Sequence, residues 1–199
     1  MALIYAGLTT VGYRSTQAQL LSVAPYGAAA LLTVTVGIIA DRTRQRGLCN
    51  VVVSALGAIG FSMLLGCDHP GARYAGTFFG AMGIYPALPN SVSWISNNTA
   101  GTYKRGITLG IMVGWGNLNG IVSSNIYNAK DAPHFFVGHG VVLAYLVLFQ
   151  LGGSLVQYAL LRRENRKRRR GERDYLVEGL DTDGVRMLGD RRPDFVYTL

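Results

Sequence analysis

Charge is scarce over most of this chain. Residues 1–161 hold eight Lys/Arg and three Asp/Glu, while residues 162–199 hold eleven and eight. Charged residues make up 15% of the 199, against about a quarter in soluble proteins. A soluble domain built this way would need amphipathic neighbours to cover it, and the chain offers none. Cysteine is scarce as well. Cys49 and Cys67 are the only two, which argues against a disulfide-stapled secreted scaffold. They sit near opposite ends of one apolar stretch, about 27 Å apart at helical rise, so they cannot bridge each other. Catalytic signatures are missing: no phosphate-binding loop, nucleophile elbow or metallopeptidase helix occurs. His69, His134 and His139 lack metal-ligand spacing. No metal and no cofactor is expected, and the chain is not read as an enzyme.

What the chain does have is uncharged length. Stretches of 26, 21, 30, 24 and 30 residues run without a charge at positions 15–40, 47–67, 74–103, 106–129 and 132–161. Crossing about 30 Å of hydrocarbon takes ~20 helical residues. The expected fold is therefore an all-α membrane protein with five transmembrane helices, cored near 18–40, 48–66, 75–95, 107–127 and 137–161. Residues 1–13 are apolar, too short to cross, and lack the basic start of a signal peptide. They read as the outer end of a sixth helix whose first part is absent, so the chain reads as part of a longer protein.

Orientation follows from Lys and Arg. The turns at Asp41–Arg46 and Lys104-Arg105, and the segment after Arg162, are basic. The turns at Asp68–Arg73 and Lys130-Asp131 are balanced. Strict alternation suits five successive crossings, and basic loops stay cytoplasmic. The C-terminus is then cytoplasmic, and the Asn97-Asn98-Thr99 sequon falls on the same side, where it would stay unmodified. Residues 14–161 form the bundle; residues 162–199 form a basic cytoplasmic segment with a tail expected to be disordered. The run Arg162–Arg173 carries eight Lys/Arg against two Glu. It reads as a topology anchor, or as a contact for anionic lipid. It lacks interleaved aromatics, so nucleic acid is not an expected partner.

The helices are rich in small and polar residues. Gly76/Gly80, Gly110/Gly114 and Gly116/Gly120 are four apart, a spacing that lets membrane helices approach closely. Pro25 interrupts the first helix, and Pro86 and Pro89 the third. Each should bend its helix, either as a static feature or as a hinge. Asn117, Gly120 and Ser124 share a face of the fourth helix, with Asn119 and Ser123 close by. Amides in lipid need partners, so interhelical hydrogen bonding and a substrate-lining face both fit. Tyr26, Tyr85 and Asn90 flank the prolines and are further candidates for substrate contact. No Asp, Glu, Lys or Arg lies mid-helix, so a charged proton relay is not housed here.

Gly37-Ile-Ile-Ala-Asp41-Arg42-Thr-Arg-Gln-Arg46 resembles the G-x-x-x-D-R-x-x-x-R signature of major facilitator superfamily transporters. The resemblance implies a gating latch at the inner face, with Gly37 at a close helix end, Asp41 as acceptor or ion-pair partner, and Arg42 and Arg46 holding the turn. Further matches are Asn97–Arg105, Gly116-Asn117, Gly120, Ser124, Ile126-Tyr127, Asp131–Pro133, Gly138-His139 and Pro193–Leu199. They are similar to the helix 10–12 region and C-terminal end of fungal anion:cation symporters, the allantoate permease-like group. On that resemblance the five helices are helices 8–12, in the C-terminal six-helix half of a twelve-helix fold.

The family implies proton-coupled uptake of small organic anions such as ureides, vitamins or dipeptides, by alternating access across the plasma membrane. Tyr26, Tyr85, Asn90, Asn117 and Ser124 would supply neutral hydrogen bonds to the solute. The expected partners are membrane lipid, the solute, and either the absent N-terminal half or a second copy. A non-transporting, dimerising remnant is the competing reading, and a channel a weaker third.

Overall fold

The computed structural model describes residues 15–67, 69–126 and 136–199, without the side chains of 15–22, 119, 121–126 and 136. The expectations for residues 1–13, for Asp68, and for Lys130-Asp131 and His134 lie outside it. The described residues are helical throughout the bundle. Helix α1 spans Ser15–Thr43, α2 Arg46–Gly66, α3 Pro70–Asn97 and α4 Thr102–Ile126. The last crossing starts as α5 (Phe136–Tyr145), widens into a π-helical segment at Leu146–Leu151, and resumes as α6 (Gly152–Arg169). Helix α7 (Thr182–Met187) lies in the tail. Both α1 and α3 continue through their prolines.

Among the described residues, three helical segments are long and apolar enough to cross a membrane: Val23–Thr43, Arg46–Gly66 and Val137–Arg169. Helices α3 and α4 have the length, at about 42 Å and 38 Å for 28 and 25 residues. Their asparagines, prolines, glycines and terminal cations dilute the apolar character.

The core lies where α2 meets α3, the most extensive packing in the bundle, and α1 also packs on α3. Glycines make this contact possible. A Cβ on Gly60 would overlap the Gly80 backbone nitrogen and sit 2.8 Å from the Gly76 carbonyl oxygen; one on Gly83 would overlap Gly57. Gly76 and Gly80 thus serve the close approach their spacing suggests. Among the described residues Gly110, Gly114, Gly116 and Gly120 do not: no described atom lies within 4 Å of a Cβ built on any of them. The physical reason is that α4 touches α3 and α5 only lightly and leaves Ile111, Trp115 and Leu118 exposed.

The tail corrects the expectation of disorder. Apart from α7 it makes two short 3-10 turns, Asp174–Leu176 and Gly189–Arg191, and its end docks on the bundle. Low apolar content suggested disorder, but the tail is held by side-chain amides and a buried arginine rather than by an apolar core. Asn165 on α6 pairs with Tyr197 in both directions, donating to its carbonyl at 2.8 Å and accepting from its N–H at 2.9 Å. Asn98 at the end of α3 does the same to Thr198, at 2.9 and 2.8 Å. Trp94 Nε1 donates to the Thr198 carbonyl at 2.9 Å, and Gly47 N–H donates to that of Leu199 at 3.2 Å. Arg168 donates to the carbonyls of Asp190, Arg192 and Phe195 and lies 4.3 Å from the Tyr197 ring centroid. Lys104 pairs with Asp190. One strap therefore touches the start of α2, the end of α3, the start of α4 and the end of α6. These contacts gather the basic segments around Arg46, Lys104 and Arg168 at one end of the bundle.

Candidate functional site

The turn between α1 and α2 is only two residues long, Arg44 and Gln45. Arg44 takes a left-handed conformation, φ 55°, uncommon for a residue with a Cβ. That sharp reversal brings Asp41 at the end of α1 into an ion pair with Arg46 at the start of α2. The Arg46 side chain is 9% exposed and that of Asp41 67%, so the pair straddles the boundary between water and the bundle.

Behind the pair runs a chain of neutral amides. Arg46 Nη1 donates to Asn90 Oδ1 at 3.2 Å. Asn90 Nδ2 donates back to the Arg46 carbonyl at 2.8 Å and on to Asn50 Oδ1 at 2.8 Å. Asn50 Nδ2 donates to Ser91 Oγ at 2.9 Å. Asn90 and Asn50 are 4% and 1% exposed. Buried amides are costly unless satisfied, and here both ends of each amide are engaged. The connection runs from Asp41 through Arg46, Asn90 and Asn50 to Ser91, linking the exposed turn to the interior.

Ser91 opens onto a cavity of about 430 Å³ between α3, α4 and the last crossing. Ile84, Leu88, Ser91, Trp115, Tyr145 and Gln150 line it, and none of its described lining residues is charged. The π-helical segment supplies Gln150 and turns it inward. Such segments interrupt α-helices frequently at functional sites. The volume lies within the range of small-molecule sites.

The residues expected from sequence divide among three places. Asp41, Arg46 and Asn90 come together in the polar chain, so Asn90 stands behind the turn with its amide fully engaged. Arg42 sits in the last turn of α1 and is exposed. Gly37 meets nothing within 4 Å of a built Cβ, so no close contact there explains it. Tyr26 and Tyr85 meet edge to face, ring centroids 5.4 Å apart, bridging α1 and α3. Tyr85 is 44% exposed, and Asn117 is exposed on α4. The side chains of Ser124, Ser123 and Asn119 lie outside the description. His139 is buried at 3% with its ring 6.2 Å from that of Phe61. Asn50, Ser91, Trp94, Gln150, Asn165 and Arg168 escaped the sequence reading. Asn90, Trp94 and Asn98 recur every four residues along one stripe of α3, a signal that could have found the strap. Among the described residues no group of His, Cys, Asp and Glu could hold a metal ion.

The chain is 32% identical over 192 residues to the high-affinity nicotinic acid transporter of Saccharomyces cerevisiae, covering 96% of this chain and 35% of that protein. Its relatives are transporters. An uncharacterized transporter of Schizosaccharomyces pombe is 30% identical over 189 residues, covering 95% of the chain and 38% of the relative. A major facilitator-type transporter of Penicillium expansum is 31% identical over 203 residues, covering 96% and 38%. The chain thus spans little more than a third of the length of these relatives. No family model and no solved structure matches it. Transporters of this type are not enzymes, and the apolar helices agree with an integral membrane protein.

Proposed function

We propose that this chain forms the C-terminal half of a major facilitator transporter of the allantoate permease-like group, moving a small organic anion by alternating access. The observation that carries the reading is the Asp41–Arg46 pair backed by Asn90 at a two-residue turn between two helices of membrane-crossing length. A latch of this kind belongs where helix ends must separate and rejoin. The relatives named as transporters, one of them for nicotinic acid, support it.

On this reading the chain crosses five times, and the strap-bearing end faces the cytoplasm because the basic segments gather there. The plasma membrane is the proposed host. Tyr26, Tyr85, Asn117 and Ser124 offer neutral contacts to the solute. With no cation among the described cavity residues, the counter-charge for a carboxylate comes from the other half of the transporter. The exposed faces of α1 and α4, with Leu31, Val34, Ile111 and Leu118, are where that half would sit.

The test is uptake of radiolabelled nicotinate, pantothenate, allantoate and a dipeptide by cells expressing the full-length protein that carries this chain. Saturable uptake of at least one, reduced by Asp41→Asn, is expected. Uptake of none, or uptake indifferent to Asp41→Asn and Arg46→Gln, would refute the reading.

A further inference from the structure

Resting on that transport reading, we propose that the cavity between α3, α4 and the π-helical segment receives the flat, uncharged ring of the solute, and that Ser91 reports its occupancy to the Asp41–Arg46 latch.

The cavity's chemistry selects the class of occupant. Trp115 and Tyr145 supply aromatic walls, Ile84 and Leu88 aliphatic ones, and Gly116 leaves its backbone bare with nothing within 4 Å of a Cβ built on it. Gln150 and Ser91 add polar groups, beside the indole N–H of Trp115 and the hydroxyl of Tyr145. Apolar surface with a few convergent polar groups suits a planar heteroaromatic ring. A carboxylate would lose its hydration here with no described cation to replace it. The ring enters and the charged end stays outside.

The coupling follows from the direction of the hydrogen bonds. The Ser91 oxygen accepts from Asn50, and its own hydroxyl proton takes no partner among the described residues. A ring nitrogen or oxygen in the cavity would accept that proton. A hydroxyl that donates becomes a better acceptor, so the Asn50 bond strengthens, and with it the Asn50–Asn90 and Asn90–Arg46 bonds. Every amide in the chain is already oriented to pass this polarisation one way. Occupancy then favours the latched arrangement, and by linkage a closed latch favours occupancy by the same factor.

Cys49 provides the readout. It is partly buried, precedes Asn50, and packs against the Val36–Val53–Ala87 cluster that joins α1, α2 and α3. Parting of α1 from α2 and α3 would uncover it. In inside-out vesicles bearing the full-length protein, saturating nicotinate should slow Cys49 alkylation about fivefold or more, the usual lower scale of coupling between sites. Ser91→Ala should abolish this protection, and Ser91→Thr, which keeps the hydroxyl, should restore it. Trp115→Ala should raise the nicotinate KM about tenfold while leaving protection intact at saturation. Amount and monodispersity in detergent control for folding. Full protection in Ser91→Ala, an unchanged KM in Trp115→Ala, or uptake of pantothenate but not nicotinate would overturn the inference while transport itself stands. Uptake of no solute would remove the transport reading and this inference with it.

Discussion

Asn90 and Arg46 hold each other twice: the guanidinium donates to the amide oxygen at 3.2 Å, and the amide nitrogen donates to the Arg46 carbonyl at 2.8 Å. One side chain on α3 thus fixes both the backbone and the side chain of the first residue of α2. Asn90→Ala would strand the buried Arg46 groups, at about 1–3 kcal/mol. The expected result is a lower unfolding temperature in detergent together with faster alkylation of Cys49. Asn90→Ala without either change would show that the amide chain does not hold the turn.

The glycine contacts separate two classes of helix interface. Gly60→Ala and Gly83→Ala should each cost about 1–3 kcal/mol, because backbone blocks the new methyl group and cannot yield like a side chain. Gly114→Ala on α4 meets open space and should change stability by less than about 0.5 kcal/mol within this half. Thermal unfolding of the three variants, followed by loss of the monodisperse peak, provides the comparison.

Docking of the tail depends on two amides acting from opposite sides. Asn98→Ala with Asn165→Ala removes four hydrogen bonds to Tyr197 and Thr198, each worth about 1 kcal/mol net. Trypsin should then cut after Arg191, the Arg192–Pro193 bond being resistant, at least tenfold faster than in the parent protein. Arg168→Gln should act alike, since it withdraws donors from three tail carbonyls. Equal cleavage rates would mean that the strap is not held by these residues.

Sidedness is testable with single cysteines on a background lacking Cys49 and Cys67. Arg44→Cys should react with an impermeant maleimide only in inside-out vesicles, and Arg73→Cys only in intact cells. Reaction of both from one side would contradict the alternation of the helices.

The helices were legible because their signal is local. An uncharged run such as 47–67 shows its length directly, and α2 occupies Arg46–Gly66. Asp41 and Arg46 were legible for the same reason, being five residues apart across one turn. The partners of Arg46 were not. Asn90 lies 44 residues away, and nothing in its own neighbourhood says whether its amide meets solute or protein. Gln150 was hidden differently, because its direction depends on a π-helical segment that apolar Leu146–Leu151 does not announce. The tail misled because its composition lacks a core, whereas its order comes from Asn98, Asn165 and Arg168, placed 22 to 100 residues from the tail residues they grip.

By itself the sequence marked the uncharged runs and which of the turns between them carry arginine, since length and charge act on the solvent residue by residue. Only the tertiary structure decided which glycines meet, which asparagine stands behind the Asp41–Arg46 pair, and that the C-terminal strap closes one end of the bundle. Those outcomes depend on which helix faces lie against one another, and that is set by the packing of distant segments rather than by any one of them.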